Sequence, residues 1–418
     1  MRWLGEVSAV NMVVLYAFNF LWSVGNPLIN VNTALISYFS MAGMGVWAVS
    51  ALQWCVNLPV LLQALPRIVR IPAGNDRRLM IGTYVFMGVG FIIFGILVAF
   101  SRLQIALMAQ VLLLVLFITF SFYQVGNILY LNMLTRALPG NALGRYYAVL
   151  GVLMSAGAVI GGALAPWLLG MAGFPANFSM LFIVAGCVFI AATLTLLLSR
   201  EMPSGTPETA QAAWRPGESL RGLCGPLGRK STQLLLALTL LIHVGGIPFN
   251  FALVYYNHLL PAPLSATWVF LVPYLAQSLL MPALGASMNK LGSARTVAVY
   301  ALLLLVAVGL LLSGLSWGWI PVFSIFGAYA MFLNMIKVGM VREIVRPGEV
   351  FDVLLVSNIL GVSFAAAMTT LFSWMITVWN AYALVFIVSG VALAAILPLL
   401  RVLHKWHKKE ASYEIVTC

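Results

Sequence analysis

Two ionisable side chains, His243 and Lys337, sit inside long apolar stretches of this chain. A third polar feature is the segment FNFLWSVGNPLINVNTAL, residues 18–35, with Asn19, Asn26, Asn30 and Asn32 around Gly25-Asn26-Pro27. An imidazole, with an ordinary pKa of about 6.5, suits a proton-coupling switch. The alternative for His243 is a neutral ring hydrogen-bonded between helices. A charge inside a membrane is costly and points to function. Lys337 would pair with an anionic group or a gate, unless its stem snorkels to the interface beside Arg342.

Catalytic chemistry finds little support. There is no Gly-rich phosphate loop after a strand, no His-Glu-x-x-His and no carboxylate pair near a membrane centre. All ten acidic residues fall outside the central membrane zone. Cationic cargo would lack a buried counter-charge, so a neutral or anionic organic solute is expected. The four cysteines (Cys55, Cys187, Cys224, Cys418) show no disulfide or zinc spacing. His404 and His407 in the tail read as part of a basic stretch drawn to anionic lipid rather than a metal site. No enzyme activity, cofactor or metal is expected.

The elements that position these residues are dictated by composition. Of 418 residues, 62% are hydrophobic and 8% charged, against about 25% charged in soluble domains. Lipid must be the medium, and the chain is expected to be all-α. Spans of about 20 apolar residues are expected at 8–29, 43–64, 79–100, 104–127, 146–170 and 177–198. After a polar interval, 199–231, come 232–256, 264–288, 295–315, 318–341, 351–376 and 380–402. The N-terminal stretch reads as a first span, not a removed signal.

Cytoplasmic loops concentrate Lys and Arg. With the N-terminus inside, 20 of the 22 basic residues fall on inner segments; Arg102 lies outside and Lys337 within a span. Both termini are therefore expected in the cytoplasm. The net charge of +12 is topological and requires no nucleic acid. The expected organisation is an N-terminal six-helix bundle (1–198), a cytoplasmic linker (199–231), a C-terminal six-helix bundle (232–403) and a basic tail (404–418).

The halves look repeated. WSVGNP in span one matches HVGGIP in span seven, pairing Trp22 with His243, Gly25 with Gly246 and Pro27 with Pro248. TRALPGNALGRYY and REIVRPGEVFDVL close spans four and ten alike. Proline removes a donor and crowds the preceding turn, so both first helices of the halves should bend. Irregular backbone in a bilayer is tolerated where protein or a wet cavity satisfies it. The asparagines thus point to a polar path, with interhelical hydrogen bonding as the alternative.

The loop after span eight, GASMNKLGSARTVAVY, places Gly285, Asn289, Lys290, Gly292 and Arg295 in the pattern G-x-x-x-[D/N]-[R/K]-x-G-x-x-R. This resembles the loop motif of the major facilitator superfamily, and the twelve spans and 6+6 division extend the resemblance over the whole chain. The first-half copy departs from it: QALPRIVRIPAGNDRRLMIG keeps Asp76, Arg77 and Arg78 but loses the glycine spacing. The resemblance implies a latching, gating role for these loops; Gly25, Pro27, Gly246 and Pro248 join them as candidate gating positions through the expected bends. In span five, Gly157, Gly161, Gly162 and Pro166 loosely resemble an antiporter motif, but packing through small residues is the reading adopted.

In that family spans one, four, seven and ten line a central cavity. The resemblance therefore implies a substrate lining of Asn19, Trp22 and Asn26; Tyr123, Gln124 and Asn127; His243, Asn250 and Tyr255; and Tyr329, Asn334 and Lys337. Amides would fix the orientation of a ligand and aromatics would cover its flat faces. The expectation is a secondary transporter, monomeric, in a bacterial cytoplasmic membrane, with the bilayer and a small solute as partners. A sensor, scaffold or assembly factor that keeps the fold without transport is the alternative.

Overall fold

The computed structural model describes residues 2–64, 76–100, 105–137, 140–199, 225–262, 264–329, 333, 340–341, 343–345 and 349–417. These residues are helices and short turns, with no strand among them. The α-helices begin with α1 (Arg2–Gly25), α2 (Ile36–Met41), α3 (Trp47–Asn57), α4 (Asp76–Phe100), α5 (Ile105–Ala137), α6 (Gly140–Gly170) and α7 (Ala176–Thr195). They continue as α8 (Lys230–Leu259), α9 (Ala266–Leu291), α10 (Ser293–Ser313), α11 (Trp319–Gly327), α12 (Val350–Trp379) and α13 (Tyr382–Thr417).

Each expected span meets helical structure. Among the described residues, ten stretches are long and apolar enough to cross a membrane. The two others, 43–64 and 318–341, are met by α3 with its 3-10 continuation Leu58–Ala64 and by α11. Large apolar side chains such as Phe86, Val152, Leu279 and Val391 stay exposed on these helices, as lipid-facing surfaces do. The protein is an all-α, multi-pass membrane protein.

Contacts divide the chain into two compact units. One comprises Met1–Gln211 with Ser265–Ser278, the other Ala212–Leu264 with Leu279–Cys418. In the first unit α4 packs on α5 and α7, and α1 on α6 and α7. In the second, α8 packs on α12 and α13, and α10 on α11 and α13.

Glycines set the closest crossings. A Cβ on Gly161 of α6 would lie 2.1 Å from the Val24 carbonyl of α1, and one on Gly157 2.5 Å from that of Phe20. The two glycines, four residues apart, let α6 lie directly on the backbone of α1, the packing the small residues of span five suggested. Gly162, beside them, faces the Phe270 carbonyl and the Tyr274 ring of α9. Gly88 of α4 and Gly186 of α7 face each other in the same way, each against the other's carbonyl. Between α9 and α10, Gly292 takes φ 81°, a left-handed value that L side chains resist, so the loop motif turns there.

α1 and α8 are the most enclosed spans. Protein covers 61% of the first span's apolar window and 67% of the seventh's, against 33–44% elsewhere. Their paths differ. After Gly25 the first span tightens into a 3-10 turn, Asn26–Ile29, becomes extended at Asn30 (ψ 127°), winds as a π-turn over Val31–Leu35 and resumes as α2. α8 runs as one α-helix from Lys230 to Leu259 with Pro248 inside it. The helix is thus interrupted after Gly25 in the first span and continuous through Pro248 in the seventh.

Candidate functional site

In the first unit, three of the expected lining residues meet at an aromatic cluster. Asn19 Nδ2 donates to the Leu15 carbonyl one turn back and to the Tyr130 hydroxyl of α5, both at 2.7 Å. One turn along α1, Trp22 is buried and stacks on Tyr123 of α5 (centroids 5.9 Å apart, 22° between planes). Tyr84 of α4 and Phe189 of α7 close on the same indole at 4.8 and 4.7 Å. Gln124, also on α5, accepts from Gln63 Nε2 at 2.6 Å. Asn26 and Asn127 are half-buried.

A second group of amides borders the break in the first span. Asn30 Oδ1 accepts from the Asn32 main-chain N–H at 2.9 Å, closing an Asx turn at the extended residue. Asn32 Oδ1 accepts from Gln53 Nε2 of α3 at 3.4 Å, and Gln53 Oε1 from Asn57 Nδ2 at 2.6 Å. Asn30 thus satisfies a backbone N–H at the break, and Gln53 of span two satisfies the Asn32 side chain beside it. Gln53, Asn57, Gln63, Tyr84 and Tyr130 are absent from the sequence-derived lining. Their signal was available: Gln53 and Asn57 stand four apart on one helical face.

In the second unit, His243 is buried. Its Nδ1 lies 2.7 Å from the Thr239 carbonyl. A carbonyl only accepts, so Nδ1 carries the proton and Nε2 faces the other way. The ring rests against Gly361 of α12, where a Cβ would come within 2.6 Å of it. Thr239 also receives the Ser357 hydroxyl at 3.3 Å. Asn250 Nδ2 donates to Thr369 Oγ1 of α12 at 3.4 Å. Tyr255 turns towards its own unit, donating to the Leu311 carbonyl at 3.0 Å and packing on Tyr382 and Phe386.

The Tyr329 hydroxyl donates to the Ile242 carbonyl of α8 at 2.7 Å, and its ring lies over Gly246. The adjacent Gly245 receives Leu393 of α13, as Gly25 receives Phe189 of α7. Phe189 and Leu393 each stand three residues beyond a matching glycine, in FIVAG (182–186) and FIVSG (386–390). This packing aligns Gly25 with Gly245, one residue from the pairing that the sequence suggests. Asn334 and Lys337 lie outside the described residues.

The profile of the Major Facilitator Superfamily matches residues 74–350. The chain belongs to the major facilitator superfamily. Solved structures with the same fold include the nucleoside transporter NupG (TM-score 0.71, 11% identity, 94% of this chain and 99% of that one). A POT family transporter in complex with 5-aminolevulinic acid gives 0.69 at 15% identity, over 94% and 96%. The E. coli fucose:proton symporter FucP gives 0.62 at 12% identity, over 95% and 99%. At these identities the likeness is one of fold. No curated protein sequence matches the chain significantly.

The superfamily loop residues sit at helix ends. Asp76 opens α4. Next to it, the Arg77 guanidinium donates to the Leu196 and Leu197 carbonyls at the end of the sixth span. This capping of carbonyls by a basic side chain occurs in the half whose motif is the more degraded. In the other half Gly285 and Asn289 belong to the last turns of α9, and Lys290 and Arg295 are exposed. Ser293, in the same turn, hydrogen-bonds Glu343. Arg229 pairs with Glu349 at 2.9 Å, tying the start of α8 to that of α12. Pro27 is buried against Gly161, and Gly25 against the Phe189 ring.

Proposed function

We propose that the protein is a secondary transporter that moves a small neutral or anionic organic solute by alternating access. It works as a monomer in a bacterial cytoplasmic membrane, with both termini in the cytoplasm. Two six-helix bundles, 1–198 and 232–403, are joined by the 199–231 linker, and the tail 404–418 is cytoplasmic. The observation that carries the reading is the polar interior of the first unit: Asn19, Trp22, Tyr123 and Gln124 gather on α1 and α5, amid helices that are otherwise apolar. Amides and aromatic faces in a lipid-embedded protein suit a solute with polar edges and flat faces. A transport cycle results where such a solute stabilises the two accessible states differently.

A second reading, a sensor or scaffold without transport, is favoured by one observation. Asn19 and His243 bond to protein groups, as residues that hold helices together do. Reconstitution decides between them. Purified protein in liposomes is expected to move at least one member of a broad solute panel, with Asn19→Ala and His243→Ala reducing flux while the protein stays folded. No flux across the panel, with normal cellular function in both variants, supports the second reading. If His243 is the proton site, His243→Gln will flatten the pH profile of flux; an unchanged profile removes it from that role.

A further inference from the structure

We infer that Asn30, Asn32, Gln53 and Asn57, at the broken end of the first span, form a binding subsite for a neutral, hydroxyl-rich solute, a polyol or sugar. The inference deepens the transporter reading and rests on it.

Residues 17–64 contain seven amide side chains and no Asp, Glu, Lys, Arg or His. A charged solute seated there would lack a counter-charge in a medium of low polarity, which is strongly unfavourable. A hydroxyl has no such difficulty. It donates to a carbonyl oxygen and accepts from an amide N–H, so it fits between two amides. The string Asn30–Asn32–Gln53–Asn57 offers such places in series. Its link from Gln53 to Asn32 is 3.4 Å long, well beyond the usual optimum of about 2.9–3.0 Å. That is the bond a solute hydroxyl most readily replaces.

Each primary amide has two N–H donors and two acceptor lone pairs, and the bonds of the string use only part of this capacity. In the π-turn beside it, Thr33 Oγ1 is buried and has no hydrogen-bond partner. Gln53 is buried, and Asn30, Asn32 and Asn57 are half-buried. Within the string, Asn30 also satisfies a backbone N–H at the break.

The test uses the full-length protein, purified in a detergent without a sugar headgroup, and thermal unfolding with sorbitol, myo-inositol, maltose, gluconate and glucosamine. At least one of the three neutral compounds is expected to raise Tm, since a ligand of the folded state stabilises it. Gln53→Leu and Asn57→Leu are each expected to weaken its Kd about tenfold, the loss of roughly one hydrogen bond, with a modest fall in Tm without ligand from the lost bonds of the string. If a leucine variant does not fold, Gln53→Thr and Asn57→Ser carry the same comparison. The inference is overturned if no neutral compound stabilises the protein, if only gluconate or glucosamine does, or if the variants bind as tightly as the parent. Neutral binding without flux in liposomes would sink the transporter reading alone. Flux of an anion without neutral binding would sink this inference alone.

Discussion

The first and seventh spans begin as near twins and end differently. Each carries a Gly-x-Pro, each is the most enclosed helix of its unit, and each takes a large side chain from a later helix onto a glycine. Yet the first breaks after Gly25 and the seventh runs on past Pro248. Proline alone therefore does not decide the path; the residues on its C-terminal side do. Beyond Pro27 come Asn30 and Asn32, whose side chains capture a backbone N–H and a span-two amide. Beyond Pro248 come Phe251, Ala252 and Leu253, all buried, and Asn250 turns sideways to Thr369. In lipid an interrupted helix survives where side chains satisfy its freed groups, and only one of the two spans has them.

This contrast can be broken at several points. The largest effect is expected from Gly161→Leu, because even a Cβ there would meet the Val24 carbonyl at 2.1 Å. Overpacking of this kind should cost about 3 kcal/mol, read as a clear loss of Tm in detergent. Gly246→Ala tests the equivalent region of α8. A Cβ would fall 2.1 Å from the Tyr329 ring, and displacing that ring should cost about 2 kcal/mol. Unchanged melting in either variant would refute the packing described.

Asn30→Leu addresses the break itself. It removes the Asx turn and should cost about 1 kcal/mol. Faster amide hydrogen exchange is expected over residues 30–35, with no change near Pro248. Tyr329→Phe deletes the bond to Ile242 and should cost about 1 kcal/mol or less. Gly309→Ala sharpens the comparison from the other side. Nothing lies within 4 Å of a Cβ there, so the substitution should be neutral or raise stability by up to about 1 kcal/mol through helix propensity.

Much of the fold is legible in the sequence because apolar runs of membrane length are a strong signal. The packing role of Gly157 and Gly161 is legible for a related reason, since small residues four apart mark a close crossing. Span seven has no interruption like that of the first, and most of the residues after Pro248 (Phe249, Phe251, Ala252 and Leu253) are apolar and buried. The amides of span two escape for a different reason. A lining drawn from the family resemblance selects spans one, four, seven and ten, which leaves Gln53, Asn57 and Gln63 aside. The FIVAG and FIVSG match is short and sits in spans outside that lining, although it anchors the glycine-to-side-chain contact in both units.

The mutual contact of Gly88 and Gly186 carries a mechanical consequence. Where two main chains cross this closely, with Ile190 and Ile92 packed against the glycines, side chains have little room to take up a displacement. The third and sixth spans are then expected to behave as one stiff body, so that any deformation of this unit falls elsewhere. The interrupted end of the first span, with its swappable amide partners, is the compliant segment best placed to do so.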